Sequence, residues 1–534
     1  MESSRPLVTK SDEGLLSLTD EGREALRPLV TDVDSQVYAF YASNDAEKAA
    51  AAMARLSRNP NDLRTIIADE FIGKDGGSEA LLRRVVTDFG DDSVMQLDNL
   101  QLVFEGVSNL ASKEIERGRL AAYLEQSTRY LRFDRRDEQG RYRYVTPEGL
   151  DATVETEYTN NLDAIFTIYS DLYQKVRQHI ETTSSVPEAE RDGAWRTACH
   201  AQACDSIRGL LPAATKTTVG VSGSTQAMYN MLLHFEATTM PEYRRLGSMA
   251  LTAARMVKPV FFERVDIPDR GGLISDNKAV TKLQSRSLVS SILEKQKGLE
   301  QRTGTYVELV SANGSEDELI TKILVDTSSY PITTIDTVVT TLSDDEKKQI
   351  LDTYVGERFN RRVKPGRAFE LPHYTFEVQC DFGAFRDIQR HRMVDGFEWQ
   401  PLQPYLGHER PKIIDDIGES DAYEKAFTLS EQTYELLKEN GYNEEAQYAT
   451  LFGHMIRFNF TINARSLIHS AELRTTPQGH PSYRAIYKEM AEKVHEIHPF
   501  IYRYMTHLNK DEDPELARLG AERAKQRREQ QVPR

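Results

Sequence analysis

A chain of 534 residues is too long for one hydrophobic core, and its 39% hydrophobic and 28% charged residues are the balance of a packed, water-facing protein of two or more domains. Its 83 acidic residues outnumber 67 basic ones, and a net charge of −16 disfavours a general nucleic-acid binder while leaving room for a small phosphorylated ligand held by a few local arginines. Three cysteines make no disulfide framework, no stretch reaches the apolar length of a membrane span, and the opening MESSRPLVTKSDEG reads as no secretory signal, so the setting expected is the reducing cytoplasm.

Along the chain, apolar residues at helical spacing predict helices over Asp62–Ile72 and Glu79–Phe89, over Asn160–Tyr173 and over Asp421–Asn440. Arg132–Gly149 is charged, holds Gly and Pro, and reads as a loop or hairpin. Thr305–Gly314, closed by Asn-Gly, and Tyr374–Cys380 are β-rich. Thr461–Arg474 predicts a helix with Asn463, Leu467, Ser470 and Arg474 on one face and Arg465, His469 and Glu472 on another. The last stretch, 516–534, is rich in Arg, Gln and Glu and reads as a solvated, charged tail.

Two stretches of the chain echo each other. IERGRL (Ile115–Leu120) lies over IQRHRM (Ile388–Met393), and the residues upstream of each follow suit with one residue adjusted. Further on, Arg208 lies over Gln447 and Ser224 over Asn463 in a tighter register, so the second half is shorter just after the arginine motif. The reading is two divergent copies of one domain, 1–290 and 300–515, joined near Asp276–Gly304 and followed by the tail 516–534.

The candidate chemistry follows from these motifs. If extended, Glu125, Ser127 and Arg129 project from one side and offer an acceptor, a hydroxyl and a guanidinium to a nucleotide; the plainer alternative is a polar helix end with a capping serine. Arg390, His391 and Arg392 converge best at a helix end, where they suit an anionic cofactor; a solvated charged face is the plainer alternative. Cys199, His200 and Cys204 match no closed zinc site, and no metal is expected. No glycine-rich phosphate loop is present.

These motifs resemble those of the flavin-dependent thymidylate synthases, whose signature is an R-H-R triplet followed at fixed spacing by two serines and an arginine. STRY (Ser127–Tyr130) looks like the end of that signature, and NARSLIHSAELR (Asn463–Arg474) looks like the family's later helix. The resemblance spans roughly 90–246 and 370–490. It implies an α+β fold, helix-rich with small mixed or antiparallel sheets, in two tandem copies. It implies reductive methylation of dUMP to dTMP, with FAD as cofactor and NADPH and methylenetetrahydrofolate as co-substrates. By similarity, Ser127 and Arg129 would be catalytic, and Glu125, Ser127, Arg129, Arg208 and Arg474 would bind the nucleotide. Arg117, Arg119, Arg390, His391, Arg392, Asn463 and Arg465 would face the flavin.

Neither copy is complete. In the first, Gly118 stands for the histidine, Ala122 for the first serine, Ser224 and Gln226 for the later asparagine and arginine, and Phe235 for the last arginine. In the second, Asp395, Gln400 and Leu402 replace the two serines and the arginine, and Gln447 replaces the counterpart of Arg208. The losses are complementary, which suggests one composite site built from both copies, in a homodimer that acts as a pseudo-tetramer. The same chemistry on another pyrimidine nucleotide, or a non-catalytic flavin- and nucleotide-binding relative, are the alternatives.

Overall fold

The computed structural model describes residues 7–10, 16–41, 53, 92–137, 139–296 and 298–531. The helices expected over Asp62–Ile72 and Glu79–Phe89 lie outside the described residues. The chain divides into two compact units, the first drawn from Met1–Gln126, Tyr144–Leu150 and Ala214–Glu300, the second from Ser127–Arg143, Asp151–Ala213 and Gln301–Arg534. The chain is therefore not partitioned at one point. It leaves the first unit at Gln126, enters the second, and returns twice.

In the first unit, β1 (Val8–Lys10) and β2 (Leu16–Leu18) pair as a small antiparallel ribbon. The main sheet holds β3 (Val37–Ala39), β4 (Asn99–Ser108), β5 (Ala121–Glu125) and β6 (Lys216–Ser224) in the order β3-β4-β6-β5, all antiparallel. Strand β6 alternates strictly between half-buried and buried residues, so Thr217, Val219 and Val221 face the core. Each aliphatic side chain buried this way contributes about 1.5–3 kcal/mol. Helices Asn109–Ile115, Thr225–Glu236 and Pro241–Val257 belong to the same unit.

The second unit repeats this plan. Strands β7 (Tyr306–Asn313), β8 (His373–Asp381), β9 (Asp395–Trp399) and β10 (Met455–Asn463) stand in the order β7-β8-β10-β9, again antiparallel. Strand β8 runs straight into the helix Phe382–Ile388, as β4 runs into Asn109–Ile115, and β10 into Ala464–Arg474, as β6 into Thr225–Glu236. The caps correspond as well. The side chains of Ser108, Ser224, Asp381 and Asn463 each accept the backbone N–H three residues on, at 2.8–3.2 Å. One contact is kept with its partners exchanged: Ser108 Oγ donates to Glu242 at 2.6 Å, whereas Ser482 Oγ donates to Asp381. The α+β expectation and the two tandem copies hold, with sheets that are antiparallel throughout.

Two long helices sit in the second unit. Ala152–Thr183 carries a buried stripe through Tyr158, Leu162, Ile165, Phe166, Tyr169 and Tyr173 at i, i+3, i+4 spacing. It packs on Ser420–Glu439, with Asn161 Nδ2 donating to Thr433 Oγ1 at 3.1 Å. The helix Gly193–Ile207 packs against Leu519–Gln531. The tail is thus not simply solvated: Leu516 and Arg518 are buried, because Arg518 reaches Asp205 at 3.3 Å and lies 4.1 Å over the Tyr130 ring. Between the copies, the helix Gly271–Leu293 runs through most of the stretch expected as a linker. Its exposed face includes Leu273, Val280, Leu283 and Leu288.

Candidate functional site

The segment after β5 corrects the extended reading of Glu125, Ser127 and Arg129. The strand ends at Glu125, and residues 128–130 form a turn in which Ser127 Oγ accepts from Arg129 N at 3.3 Å. Ser127 is therefore the polar cap of a turn rather than a strand residue. Glu125 stays with the first unit, where its carboxylate lies 3.3 Å from the buried Lys113 ammonium. Ser127 and Arg129 belong to the second unit. The period-2 argument fails because the strand ends at Glu125, before the second residue of the set, and the chain turns before the third.

That turn brings residues of both copies together. Arg129 holds Asp205 with both Nε (2.7 Å) and Nη2 (2.6 Å), and its Nη1 donates to Tyr483 Oη at 3.0 Å. Arg208 reaches Asp387 at 3.4 Å, and Arg474 approaches the other oxygen of Asp387 at 3.6 Å. Arg474 Nε donates to His391 Nε2 at 2.8 Å, and its guanidinium lies 5.4 Å from the centre of the Tyr483 ring. So Arg129 and Arg208 from the first copy meet Arg474 and His391 from the second within one unit. Arg208 is 3% exposed, and its Nε and Nη2 have no hydrogen-bond partner among the described residues. Buried donors of this kind cost about 1–3 kcal/mol each unless a ligand or water satisfies them.

The electrostatics are those of an anion site. Burial alone would raise the Asp387 carboxyl; the guanidinium groups of Arg474, Arg208, Arg129 and Arg390 outweigh burial and hold it below the usual carboxylate range. Asp205 is held low in the same way, against burial, by Arg129, His480 and Arg518. His391 is driven well below the ordinary imidazole value, first by burial and then by Arg474. His480 falls to about 3 from burial and the charge of Arg208. Both imidazoles are neutral near pH 7. The guanidiniums of Arg129, Arg208, Arg390, Arg474 and Arg518 thus act on the carboxylates of Asp205 and Asp387, and Arg208 acts on Asp381 as well.

The first copy's own triplet has a different surrounding. Arg117, Gly118 and Arg119 line a pocket of about 490 Å³ with Leu120, Tyr123, Met228, Asn230 and Met231. A Cβ on Gly118 would lie 2.6 Å from Tyr123 Oη, which donates to Gly118 O at 2.8 Å, so the phenol occupies the space a side chain there would need. Phe235, buried where the second copy has Arg474, packs its Cβ 2.6 Å from the Cβ position of Gly247. The pocket thus combines apolar side chains with one amide and two guanidiniums. The remaining candidates lie elsewhere in the second copy. Asn463 caps its helix at Ser466 N (2.8 Å), and Arg465 donates to Pro365 O at 2.8 Å and lies 3.6 Å from Glu370. Arg390 and Arg392 follow the end of the helix Phe382–Ile388, as expected for the triplet, with their side chains exposed. Among the described residues, no cluster of three or more His, Cys, Asp or Glu is placed to hold a metal. No helix among them is long and apolar enough to cross a membrane.

Sequence reasoning missed Asp205, Asp387, Glu114 and His480. Asp387 and Glu114 each stand three residues before an arginine of the triplet, a match that the overlay of the two copies already contains. Asp205 and His480 carry no such signal, because their roles come from contacts across 275 residues of chain, as in His480 Nε2 to Asp205 O at 3.3 Å.

Known proteins are similar to this chain over its whole length or over one of its halves. A UPF0159 protein of Chlamydia muridarum is 30% identical over 534 residues, covering 96% of this chain and 99% of the relative. A UPF0159 protein of Thermoplasma acidophilum is 30% identical over 501 residues, covering 88% and 97%. A flavin-dependent thymidylate synthase of Clostridium tetani is 24% identical over 220 residues, covering 41% of this chain and 81% of the relative. A solved UMP/dUMP methylase from Streptomyces cacaoi, bound with 5-Br dUMP, overlaps 40% of this chain and all of its own, at a TM-score of 0.31 and 18% identity. The thymidylate synthase complementing protein profile matches twice, over residues 40–260 and 308–500, so the doubled fold read from the two arginine motifs is that of this family, and the chain belongs to it.

Proposed function

We propose that the chain is a flavin-dependent methylase of a pyrimidine nucleoside 5′-monophosphate, converting dUMP to dTMP with methylenetetrahydrofolate and NADPH as co-substrates. The observation that carries this reading is the meeting of Arg129 and Arg208 with Arg474 and His391, two pairs supplied by different copies, around buried donors that lack partners. Arg208 and Arg474 hold the phosphate, a charge-assisted task suited to guanidinium. Ser127, on the turn, presents a hydroxyl to the pyrimidine, and Arg129, fixed beside it by Asp205, lends its positive charge to the surroundings in which negative charge develops. Family membership supports a flavin as the hydride carrier, and the pocket of Arg117, Arg119, Tyr123, Met228 and Met231 has the walls and charges for its ring and phosphates. None of the three cysteines is available as a nucleophile: all are buried, and burial pushes the Cys199 thiol to about 11 and Cys204 to about 12.

The test is tritium release from C5-labelled dUMP with the folate donor, NADPH and FAD. Release above the level of an Arg208→Gln variant is expected. A protein that takes up FAD and dUMP yet releases no tritium from dUMP or UMP is the binding-only relative instead. One that binds neither ligand overturns the reading.

A further inference from the structure

We propose that Asp387 sets the charge that a ligand must carry to enter the arginine cluster. Its carboxylate, lodged between Arg208 and Arg474, is a built-in competitor that gives way to a phosphate monoester dianion and not to a monoanion. The proposal rests on the phosphate reading above and adds a specificity-determining residue to it.

The two carboxylates of the cluster differ in grip. Asp205 holds Arg129 through two short, parallel bonds of 2.6 and 2.7 Å, the fork geometry of a strong pair. Asp387 is spread thinly: one contact of 3.4 Å to Arg208 and one of 3.6 Å to Arg474, both longer than a charge-assisted bond of about 2.7–2.9 Å. Arg129 is therefore committed to Asp205, whereas Arg208 and Arg474 are only loosely engaged. Arg208 also keeps two buried nitrogens without a partner among the described residues. An incoming anion meets its least resistance there.

Asp387 cannot simply leave. It sits near the end of the helix Phe382–Ile388, one turn before Arg390, and 16% of its side chain is exposed. A ligand that takes Arg208 and Arg474 must offset the weakened contacts of this carboxylate. A group with one negative charge offers no more than Asp387 already supplies. A phosphate monoester, at about −1.5 to −2 near pH 7, offers more.

The first copy supports this independently. Glu114 occupies the same place, one helical turn before Arg117, and is held by His234 at 2.7 Å and Arg117 at 3.6 Å. An acid before the arginine motif, gripped by a basic group, is therefore present in both copies. In the first copy the grip is a short bond to an imidazole with one long contact to Arg117 beside it. In the second it is two long contacts to guanidiniums, one of which has spare donors.

The experiment is calorimetric binding to the full chain, using dUMP and 2′-deoxyuridine 5′-methyl phosphate, which carries one negative charge. The wild-type protein is expected to prefer dUMP by about tenfold or more, the scale of a close charge pair. Asp387→Asn should bind the methyl ester about tenfold tighter than the wild type does and lose most of the preference. Asp387→Glu keeps the charge and should keep the preference, which guards against a variant that merely misfolds. If the wild type binds both ligands alike, or the preference survives in Asp387→Asn, the proposal is overturned while the phosphate reading stands. If neither protein binds either ligand, both fall.

Discussion

The two arginine motifs began as one sequence and now line different environments. Around Arg390 and His391, the later helix supplies Arg474, and the result is an ionic cluster with neutral imidazoles. Around Arg117 and Gly118, the later helix supplies Met228 and Met231 to a pocket with apolar walls, while Phe235 is buried against Gly247. Two of the first copy's departures, glycine at 118 where the second copy has His391 and phenylalanine at 235 where it has Arg474, remove a base and a charge from its motif. The lesson is that divergence in a duplicated fold need not erode a site. It can leave charged groups gathered in one copy and apolar walls in the other.

The largest expected effect concerns what anchors the later helix. In the second copy Glu472 is fully buried and bonded to Arg358 at 2.6 and 2.7 Å; at the equivalent place the first copy has the buried Leu233. Glu472→Ala should cost about 3–5 kcal/mol, because it strands a buried guanidinium. Leu233→Ala should cost about 2–5 kcal/mol through the cavity it leaves. Denaturant unfolding measures both, and a cost below about 1 kcal/mol for Glu472→Ala would show that the ionic anchor is not structural.

Next comes acid sensitivity. His480 precedes the helix Pro481–Ile497 where the first copy has Met240 before Pro241–Val257. The folded-state value of His480, about 3, lies below that of an unfolded histidine, so the unfolded chain takes the proton first as pH falls. Stability from this residue is present above about pH 6.5 and is lost as pH drops toward 3. His480→Met should remove on the order of 2 kcal/mol of that loss between pH 7 and 4. Thermal unfolding across this range checks it, and an unchanged slope would rule His480 out; Asp205 and Asp387, whose lowered values place their loss below about pH 4, contribute only beneath that range.

A smaller effect tests whether the copies share one site. Arg129 and Arg474 both touch Tyr483. A double-mutant cycle of Arg129→Lys and Arg474→Lys on dUMP binding should show a coupling of at least about 0.5–1 kcal/mol. Additive effects would return the two residues to separate sites.

The smallest effect separates capping from ligand binding. Ser224→Ala and Asn463→Ala each remove a helix cap worth about 1 kcal/mol in unfolding experiments. If Asn463 also faces the flavin, its variant alone loses FAD affinity. Equal FAD binding in both variants would leave Asn463 as a cap only.

Much of the fold was legible in the sequence because periodicity reports local geometry. The helices around Asn160–Tyr173 and Asp421–Asn440 and the strands at Tyr374–Cys380 and Thr305–Gly314 all lie where apolar spacing put them. The overlay of Arg117 on Arg390 also matched real structure, since strand order, caps and the Ser108–Glu242 and Asp381–Ser482 contacts recur. What misled was the assumption that alternation continues past a strand end. Glu125, Ser127 and Arg129 alternate in sequence, but the turn at 128–130 sends the last two into another unit.

By itself, then, the sequence determined that the chain holds two copies of one α+β unit, and which arginines each copy retains. Those are local facts, carried by spacing and residue type. Only the tertiary structure decided that Arg129 is clamped by Asp205, that Asp387 stands between Arg208 and Arg474, and that Tyr123 fills the place of a missing histidine. Whether a guanidinium is available to a ligand depends on which carboxylate the fold places within a few ångströms of it. That distance is set by packing across hundreds of residues, where no periodicity reaches.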